Sequence, residues 1–599
     1  MPNLFQKTNK QTISNTPQPL NNFTWKIGGE AGMGIMVTGQ IFAKICSRAG
    51  LNIFGYTEYP SLIRGGHNTY HARVSDRPFY CQKFTSDLLV ALNKETIDLH
   101  KNEVVSGGGI LYDNTNLTLD LDDIGRSDVI LLPIPLIKLA NDSGGGAQMI
   151  NTVAIGASFG MVNLNFEAIS EVVSDVFKSK GQEIIDTNIK AARLGYDFAE
   201  NNLRHNFPHN LKKIENASPK IVVTGNEAIA LGAIRSGCKF YAAYPMTPTS
   251  NILHFFASHE KELDMVVRHG EDEIGVVNMA VGAAFAGVRS MVASAGGGFS
   301  LMVETFGLAA ITETPLIIVV GQRPGPATGL PTWTGQADLK FVLSAAQDEF
   351  PRIVIAPGDV TECFYHIASA FNIAEKFQTP VIFLVDKHLA ESNSSTDRFD
   401  PNLIKIDRGK LLNESDLEKM PFYHRYQLTE DGVSPRVLPG QKKGQFVANS
   451  DEHDEAGFST EDALIRRKMM DKRMKKLVEI AKILPPPKIY GSDDADLTII
   501  AWGSNKGVCL EVVMWAANEG IRLNFIHPLF LNPFPSKTIE EAIGRAKKTL
   551  IIENNYTGQL ESLIREQTGK SIDFNLRKFD GRPFYPEEIY QKVKQILQK

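Results

Sequence analysis

The sequence predicts three successive α/β domains, and three observations carry that prediction. Short continuous apolar runs recur along the chain, among them Leu316-Ile-Ile-Val-Val320 and Pro380-Val-Ile-Phe-Leu-Val385, and such runs suit parallel strands covered on both faces. Glycine-rich turns stand where a run gives way to helical periodicity, at 28–34 and at 296–298, as they do between strand and helix in open α/β sheets. The chain is 599 residues long, which at roughly 100–200 residues per domain leaves room for about three to five cores.

Residues 1–20, rich in Asn, Thr, Gln and Pro, read as a flexible tail. Folding is expected from Phe23: Phe23–Ile27 reads as a strand, a glycine turn runs through Gly34, Ile35–Ala49 has helical periodicity and Leu51–Tyr56 is a second strand, a βαβ opening. Apolar runs at Asp87–Leu92 and Ser127–Leu132, then amphipathic helices to Asn202, complete a Rossmann-like first domain over 21–204, and 205–219 reads as a linker. The second domain, 220–395, takes strands at Lys220–Thr224, Lys239–Tyr244, Ser290–Ser294, Leu316–Val320 and Pro380–Val385. Residues 396–487 read as a linker of polar turns with a basic helix, Asp462–Leu484, whose Arg466, Arg467, Lys468, Lys475 and Lys476 are expected on a solvated face. A third domain, 488–599, follows Pro485-Pro-Pro487 with strands at Asp496–Ala501, Arg522–Ile526 and Thr549–Glu553.

Composition removes several function classes. Lys and Arg number 63 against 68 Asp and Glu, a formal net charge of -5, which is not the basic footprint of a nucleic-acid binder. No run approaches the roughly 18–20 apolar residues that span a bilayer, and the N-terminus lacks the apolar core of a secretory signal, so a cytoplasmic protein is expected. The five cysteines, Cys46, Cys81, Cys238, Cys363 and Cys509, are too far apart for a disulfide framework or a CxxC ligand set. Any redox centre then sits elsewhere.

The chemistry-bearing motifs gather in the second domain. Tyr244-Pro-Met-Thr-Pro-Thr-Ser250 follows a strand, which puts the Thr247 and Thr249 hydroxyls at a strand's carboxyl end, where open α/β sheets bind ligands; helix capping would explain one hydroxyl and not the loop. Arg268-His-Gly-Glu-Asp-Glu273 opens a small-residue helix, and a carboxyl half-buried there suits acid–base work, although acidic residues also complement a helix dipole. Ala293-Ser-Ala-Gly-Gly-Gly-Phe299 is another strand–glycine–helix turn, and Gly321–Thr332, with three prolines, carries Arg323 on a stiff support. In the first domain, Gly28–Gly34 is an imperfect dinucleotide fingerprint or a turn needing positive φ. Glu58-Tyr-Pro-Ser-Leu-Ile-Arg64-Gly-Gly-His67 places Arg64 either on an anionic ligand or in a turn salt bridge.

In this order the motifs resemble those of the 2-oxoacid:ferredoxin oxidoreductases, thiamine-diphosphate enzymes related to pyruvate:ferredoxin oxidoreductase. The likeness runs from Thr24 to the end and rests on Tyr244–Pro248, Glu271–Glu273 and Arg323–Gly329 together. It implies a γ domain, which contacts coenzyme A, fused ahead of an α subunit made of a pyrimidine-binding domain and a transketolase C-terminal-like domain. By the resemblance, Glu273 would bond the aminopyrimidine of thiamine diphosphate, with Thr249 and Phe299 also at the cofactor and Glu271 as the alternative frame. Thr247, Arg323 and Thr332 would hold the 2-oxoacid, and Arg64 would approach substrate or coenzyme A. Met33 and the stretch Trp333–Asp338 depart from the family pattern and leave the coenzyme A contacts and substrate preference open.

The chain contains no Gly-Asp-Gly segment for Mg²⁺ and diphosphate. The resemblance therefore implies a β subunit that brings Mg²⁺, the rest of the thiamine site and a [4Fe-4S] cluster, in an (αβ)2 heterotetramer passing electrons to ferredoxin. Coenzyme A-dependent oxidation of 2-oxoglutarate to succinyl-CoA is the expected reaction. An indolepyruvate- or pyruvate-specific relative is the alternative within the family. A non-catalytic nucleotide-binding assembly subunit is the alternative outside it, and it gives Glu273, Arg323 and Thr247 no shared purpose.

Overall fold

The computed structural model describes residues 21–62 and 65–598. The expected tail at 1–20, and Arg64, lie outside the described residues. The chain divides into two units, the first holding the described residues up to Asn52 with His71–Pro78 and Thr85–Ser218, the second holding Ile53–Tyr70, Phe79–Phe84 and the chain from Pro219 on. Two short segments from within 21–204 therefore fold with the second unit.

In the first unit the strand Phe23–Glu30 pairs in parallel with Ser86–Ala91, followed outward by Val104–Asp113 and Ile130–Ile134. The run expected at Ser127–Leu132 starts later because Gly125, in the left-handed region, and the Arg126–Asp128 ion pair make residues 125–128 a turn. Trp25 donates its indole N–H to Ser158 Oγ at 3.0 Å and stacks on Phe42 at 4.2 Å, which stacks on Phe159. The helices Ile150–Met161 and Gln182–Asn202 cross at backbone contact: a Cβ on Gly156 would lie 1.9 Å from the Ala192 carbonyl oxygen.

The second unit is built on a seven-stranded sheet in the order 530–532, 353–355, 380–386, 316–322, 290–295, 240–243, 266–269. It is parallel except at its 530–532 edge. Its strands, apart from the exposed edge strand 266–269, are buried on both faces, with Tyr241, Phe256 and Phe364 in one core and Phe299, Phe306 and Trp502 in the other, as the continuous apolar runs require. A five-stranded sheet follows, in the order 488–491, 523–527, 497–501, 549–553, 574–577. The mixed α/β architecture is the expected one.

Two expectations are corrected. Lys220–Val223 does not join the seven-stranded sheet but pairs antiparallel with Asn393–Asp397; only Val223 of that strand is fully buried, so the run lacks the two-sided cover of a central strand. The basic helix, Ala463–Ile483, is not simply solvated. Arg467, Lys468 and Lys475 are exposed, but Lys472, Arg473 and Lys476 are buried. Lys472 and Lys476 both bond the fully buried Glu313, the latter at 2.5 Å, and Arg473 bonds Glu452 at 2.6 Å. Met469, Lys472, Arg473, Lys476 and Ile480 follow the three- and four-residue steps of one helical face. That face is read as core once Glu313 is available to neutralise it.

Candidate functional site

Four neighbouring strands of the seven-stranded sheet, 316–322, 290–295, 240–243 and 266–269, end at one edge. The loops that leave them carry the sequence motifs, as parallel sheets place ligand groups at carboxyl ends.

Glu273 opens the helix Glu273–Phe285, whose N-cap Asp272 accepts the Gly275 N–H at 2.7 Å. Its side chain turns inward: Glu273 is 4% exposed, whereas Glu271 is exposed. The buried Ser294 hydroxyl donates to Glu273 Oε1 at 3.4 Å. Facing it is the glycine turn. A Cβ on Gly298 would sit 2.6 Å from Glu273 Oε1 and 1.9 Å from Ser294 Oγ. The same turn meets two other parts of the site, because a Cβ on Gly297 would come 3.9 Å from the Ala327 carbonyl oxygen and one on Gly296 would strike Asp338 Oδ2 at 2.5 Å. A chain with side chains at 296 and 298 could not bring the two carboxyls to this helix start.

Arg323 donates from Nη1 to the Thr247 carbonyl at 2.7 Å, joining two of the motif loops. Burial draws its pKa down, and the charge of Asp338 works the other way. Thr247 is half-buried. Thr249 is buried and spends its hydroxyl on Met246 O at 3.0 Å, closing its own loop, and it gives no side-chain cap to the following helix. Its methyl and the Pro248 ring pack where a side chain on Gly321 would stand. The fully buried Asn226 donates to Pro248 O at 2.8 Å and holds this loop from outside the motif.

Thr332 is 4% exposed and its hydroxyl has no hydrogen-bond partner among the described residues, a state that costs stability unless something else fills it. The Phe299 ring is wholly buried, edge-on to Phe306 and Phe341. It packs the core. Arg64 lies outside the described residues.

Sequence reasoning missed the anchor of the Arg323 loop. Gln336, fully buried, donates to Trp502 O at 2.9 Å and to Asp386 Oδ2 at 3.2 Å, and accepts from Asn505 and from the Asn554 N–H. Asn555 donates to its carbonyl. Asp338, two residues on, has a buried Oδ2 with no partner, and burial lifts its pKa to about 6 against the pull of Arg323. The available signal was a polar Gln-Ala-Asp directly after the Arg323 loop, without a partner visible in sequence.

A glutamate buried against a glycine turn, an arginine tied across to a threonine loop and an unsatisfied threonine hydroxyl stand on loops that leave the carboxyl ends of a parallel sheet, where open α/β folds bind ligands. Residues 231–472 match the family described as pyruvate flavodoxin/ferredoxin oxidoreductase, thiamine diphosphate-binding; 24–198 match pyruvate ferredoxin/flavodoxin oxidoreductase, and 495–589 match pyruvate:ferredoxin oxidoreductase core domain II. The 2-oxoacid:ferredoxin oxidoreductase 2 subunit alpha of Aeropyrum pernix is 32% identical over 96% of this chain and 97% of its own length. The corresponding subunit alpha of Saccharolobus solfataricus is 33% identical over 96% and 98%. The structure of 2-oxoglutarate:ferredoxin oxidoreductase from Magnetococcus marinus, with 2-oxoglutarate, coenzyme A and succinyl-CoA bound, superposes with a TM-score of 0.89 at 32% identity, covering 96% of this chain and 100% of that one. This chain belongs to the 2-oxoacid:ferredoxin oxidoreductase family, among its alpha subunits.

Proposed function

We propose that this chain is the α half, with a fused γ domain over 21–204, of an enzyme that oxidises 2-oxoglutarate to succinyl-CoA and passes the electrons to ferredoxin. The observation that carries the reading is the Arg323–Thr247 link, with the unsatisfied Thr332 hydroxyl on the same loop as Arg323. Only one guanidinium nitrogen of Arg323 is engaged among the described residues, which leaves a fork that can take a carboxylate in two parallel bonds. Thr332 supplies a donor for the ketone end. The Magnetococcus marinus structure with 2-oxoglutarate bound supports the choice of substrate.

The residues fit thiamine diphosphate: Glu273 offers a buried carboxyl to a ring nitrogen, Gly298 lets the turn pack directly against that carboxyl, and Gly297 leaves open space, an added Cβ there meeting only the Ala327 carbonyl oxygen at 3.9 Å. Bound there, the cofactor would supply the electron sink for decarboxylation. Glu273 holds the proton at the pyrimidine side, Ser294 fixes the carboxyl's orientation, and Arg323 orients the substrate carboxylate. Mg²⁺, the diphosphate contacts and a [4Fe-4S] cluster belong to a β subunit in an (αβ)2 assembly, and the role assigned to Arg64 is binding substrate or coenzyme A. Co-expression with the candidate β subunit, followed by anaerobic assay of acceptor reduction with a panel of 2-oxoacids plus coenzyme A, tests this. The highest kcat/KM is expected with 2-oxoglutarate, and a preference for pyruvate or indolepyruvate would overturn the substrate.

A further inference from the structure

Arg323 would feel two anions once substrate binds. One is the substrate's own carboxylate, in the reading above, on which this inference rests. The other is Asp338, built into the fold: its backbone N–H is fixed by Gln322 Oε1 at 3.2 Å, its carboxyl presses on Gly296 at the start of the helix Gly296–Ile311, and its Oδ2 is buried without a hydrogen bond. Arg323 is the cation that acts on it, yet no direct ion pair joins the two among the described residues. An unpaired buried carboxylate is costly to keep. A fold that needed only packing here would be served by an uncharged side chain.

We propose that Asp338 is a positioning residue that acts through Arg323: its fixed negative charge competes with the substrate carboxylate for the guanidinium and so limits how strongly the ground state is held. When the C1–C2 bond of the 2-oxoacid breaks, C1 leaves as neutral carbon dioxide and the bonding electron pair stays on the C2 side, in the thiamine sink of the assembled enzyme. The negative charge facing Arg323 disappears in that step. A cation that gripped the carboxylate without restraint would stabilise the starting state and lose that interaction on the way to products. With Asp338 beside it, Arg323 keeps a counter-charge after the carboxylate has gone. Burial places the Asp338 pKa at about 6, so it is an anion at neutral pH.

The test uses the assembled complex, with two readouts. One is kcat and KM for 2-oxoglutarate. The other is the Kd of N-oxalylglycine, a 2-oxoacid analogue that keeps both carboxylates, measured by calorimetry without coenzyme A. In Asp338→Asn the analogue should bind roughly fivefold or more tightly, as loss of one nearby negative charge predicts. KM and kcat should fall together, the pattern of a removed ground-state penalty. Asp338→Ser, smaller and equally neutral, should shift both in the same direction; if Asn and Ser differ in sign, charge is not the cause and the proposal is wrong. Weaker or unchanged analogue binding in both variants, while Arg323→Gln weakens it, overturns the role of Asp338 and leaves Arg323 as the carboxylate site. Unchanged analogue binding in Arg323→Gln overturns the carboxylate site itself. In the Arg323→Gln background, Asp338→Asn should add nothing.

Discussion

Glu273 and Glu271 are two residues apart, and only one of them is buried. A carboxyl that works as an acid–base group must be held away from bulk water and aimed, and Glu273 alone has a serine hydroxyl and a glycine turn facing it. Glu273→Gln keeps shape and hydrogen bonding and removes the acid. In the assembled complex thiamine diphosphate should still bind, while exchange of its C2 proton, followed by quenched NMR, slows by roughly 10²–10⁴-fold, the usual contribution of such a group. Glu271→Gln should leave exchange unchanged. If the slow exchange appears in Glu271→Gln instead, the frame is off by two residues. Arg323 makes a different demand. Lysine keeps the charge but not the planar fork, so Arg323→Lys should raise KM for 2-oxoglutarate by roughly tenfold or more with the unfolding midpoint unmoved; equal kinetics would make the arginine structural. Both residues were visible in sequence because each sits in a local motif, Glu273 at the start of a small-residue helix and Arg323 directly after a continuously apolar strand. Ser294, Asn226, Gln336 and Asp338 were not visible as site residues, since each is defined by a partner tens or hundreds of residues away and has no local signature of its own.

At the scale of elements, the strands were legible wherever burial on both faces made the run continuously apolar, as at Leu316–Gln322 and Pro380–Asp386. They were not legible at Val266–His269 or Ile353–Ile355, short strands whose place depends on neighbours already in the sheet. The basic helix shows the same limit for charge. Its inward lysines are tolerated because Glu313 receives both, although burial draws the Lys476 pKa down to about 7 even against the upward pull of Glu313. Arg425 adds a third cation and donates to the Glu313 carbonyl at 2.8 Å. Removing the one anion leaves several cations buried together, so Glu313→Gln should cost about 3–5 kcal/mol, the usual result of breaking a buried pair from one side. Differential scanning calorimetry should show a clear fall in the unfolding temperature. The triple change Glu313→Leu, Lys472→Met, Lys476→Met should recover most of it, since the penalty belongs to the unpaired charges and not to the space they fill.

Across the whole molecule, no group of three or more His, Cys, Asp or Glu among the described residues is placed to hold a metal ion. Its five cysteines are all buried, and they are dispersed: Cys46 packs in the first unit, Cys238 and Cys363 in one core of the second, and Cys81 and Cys509 beneath the five-stranded sheet. Burial pushes the Cys46, Cys238, Cys363 and Cys509 thiols up, Cys238 to about 12, whereas iron is ligated by thiolate. Four thiols would have to leave at least two of these hydrophobic cores to meet on one cluster, each giving up its buried apolar contacts. The chain purified alone under anaerobic conditions and supplied with iron and sulfide should therefore bind no stoichiometric iron by metal analysis and show no charge-transfer absorption near 400 nm. With the β subunit present, iron and 2-oxoacid-dependent acceptor reduction should appear together, in proportion to the assembled complex isolated by size exclusion. A stoichiometric cluster on the single chain would falsify the division of the active site between two subunits, because the electron path would then begin within this polypeptide.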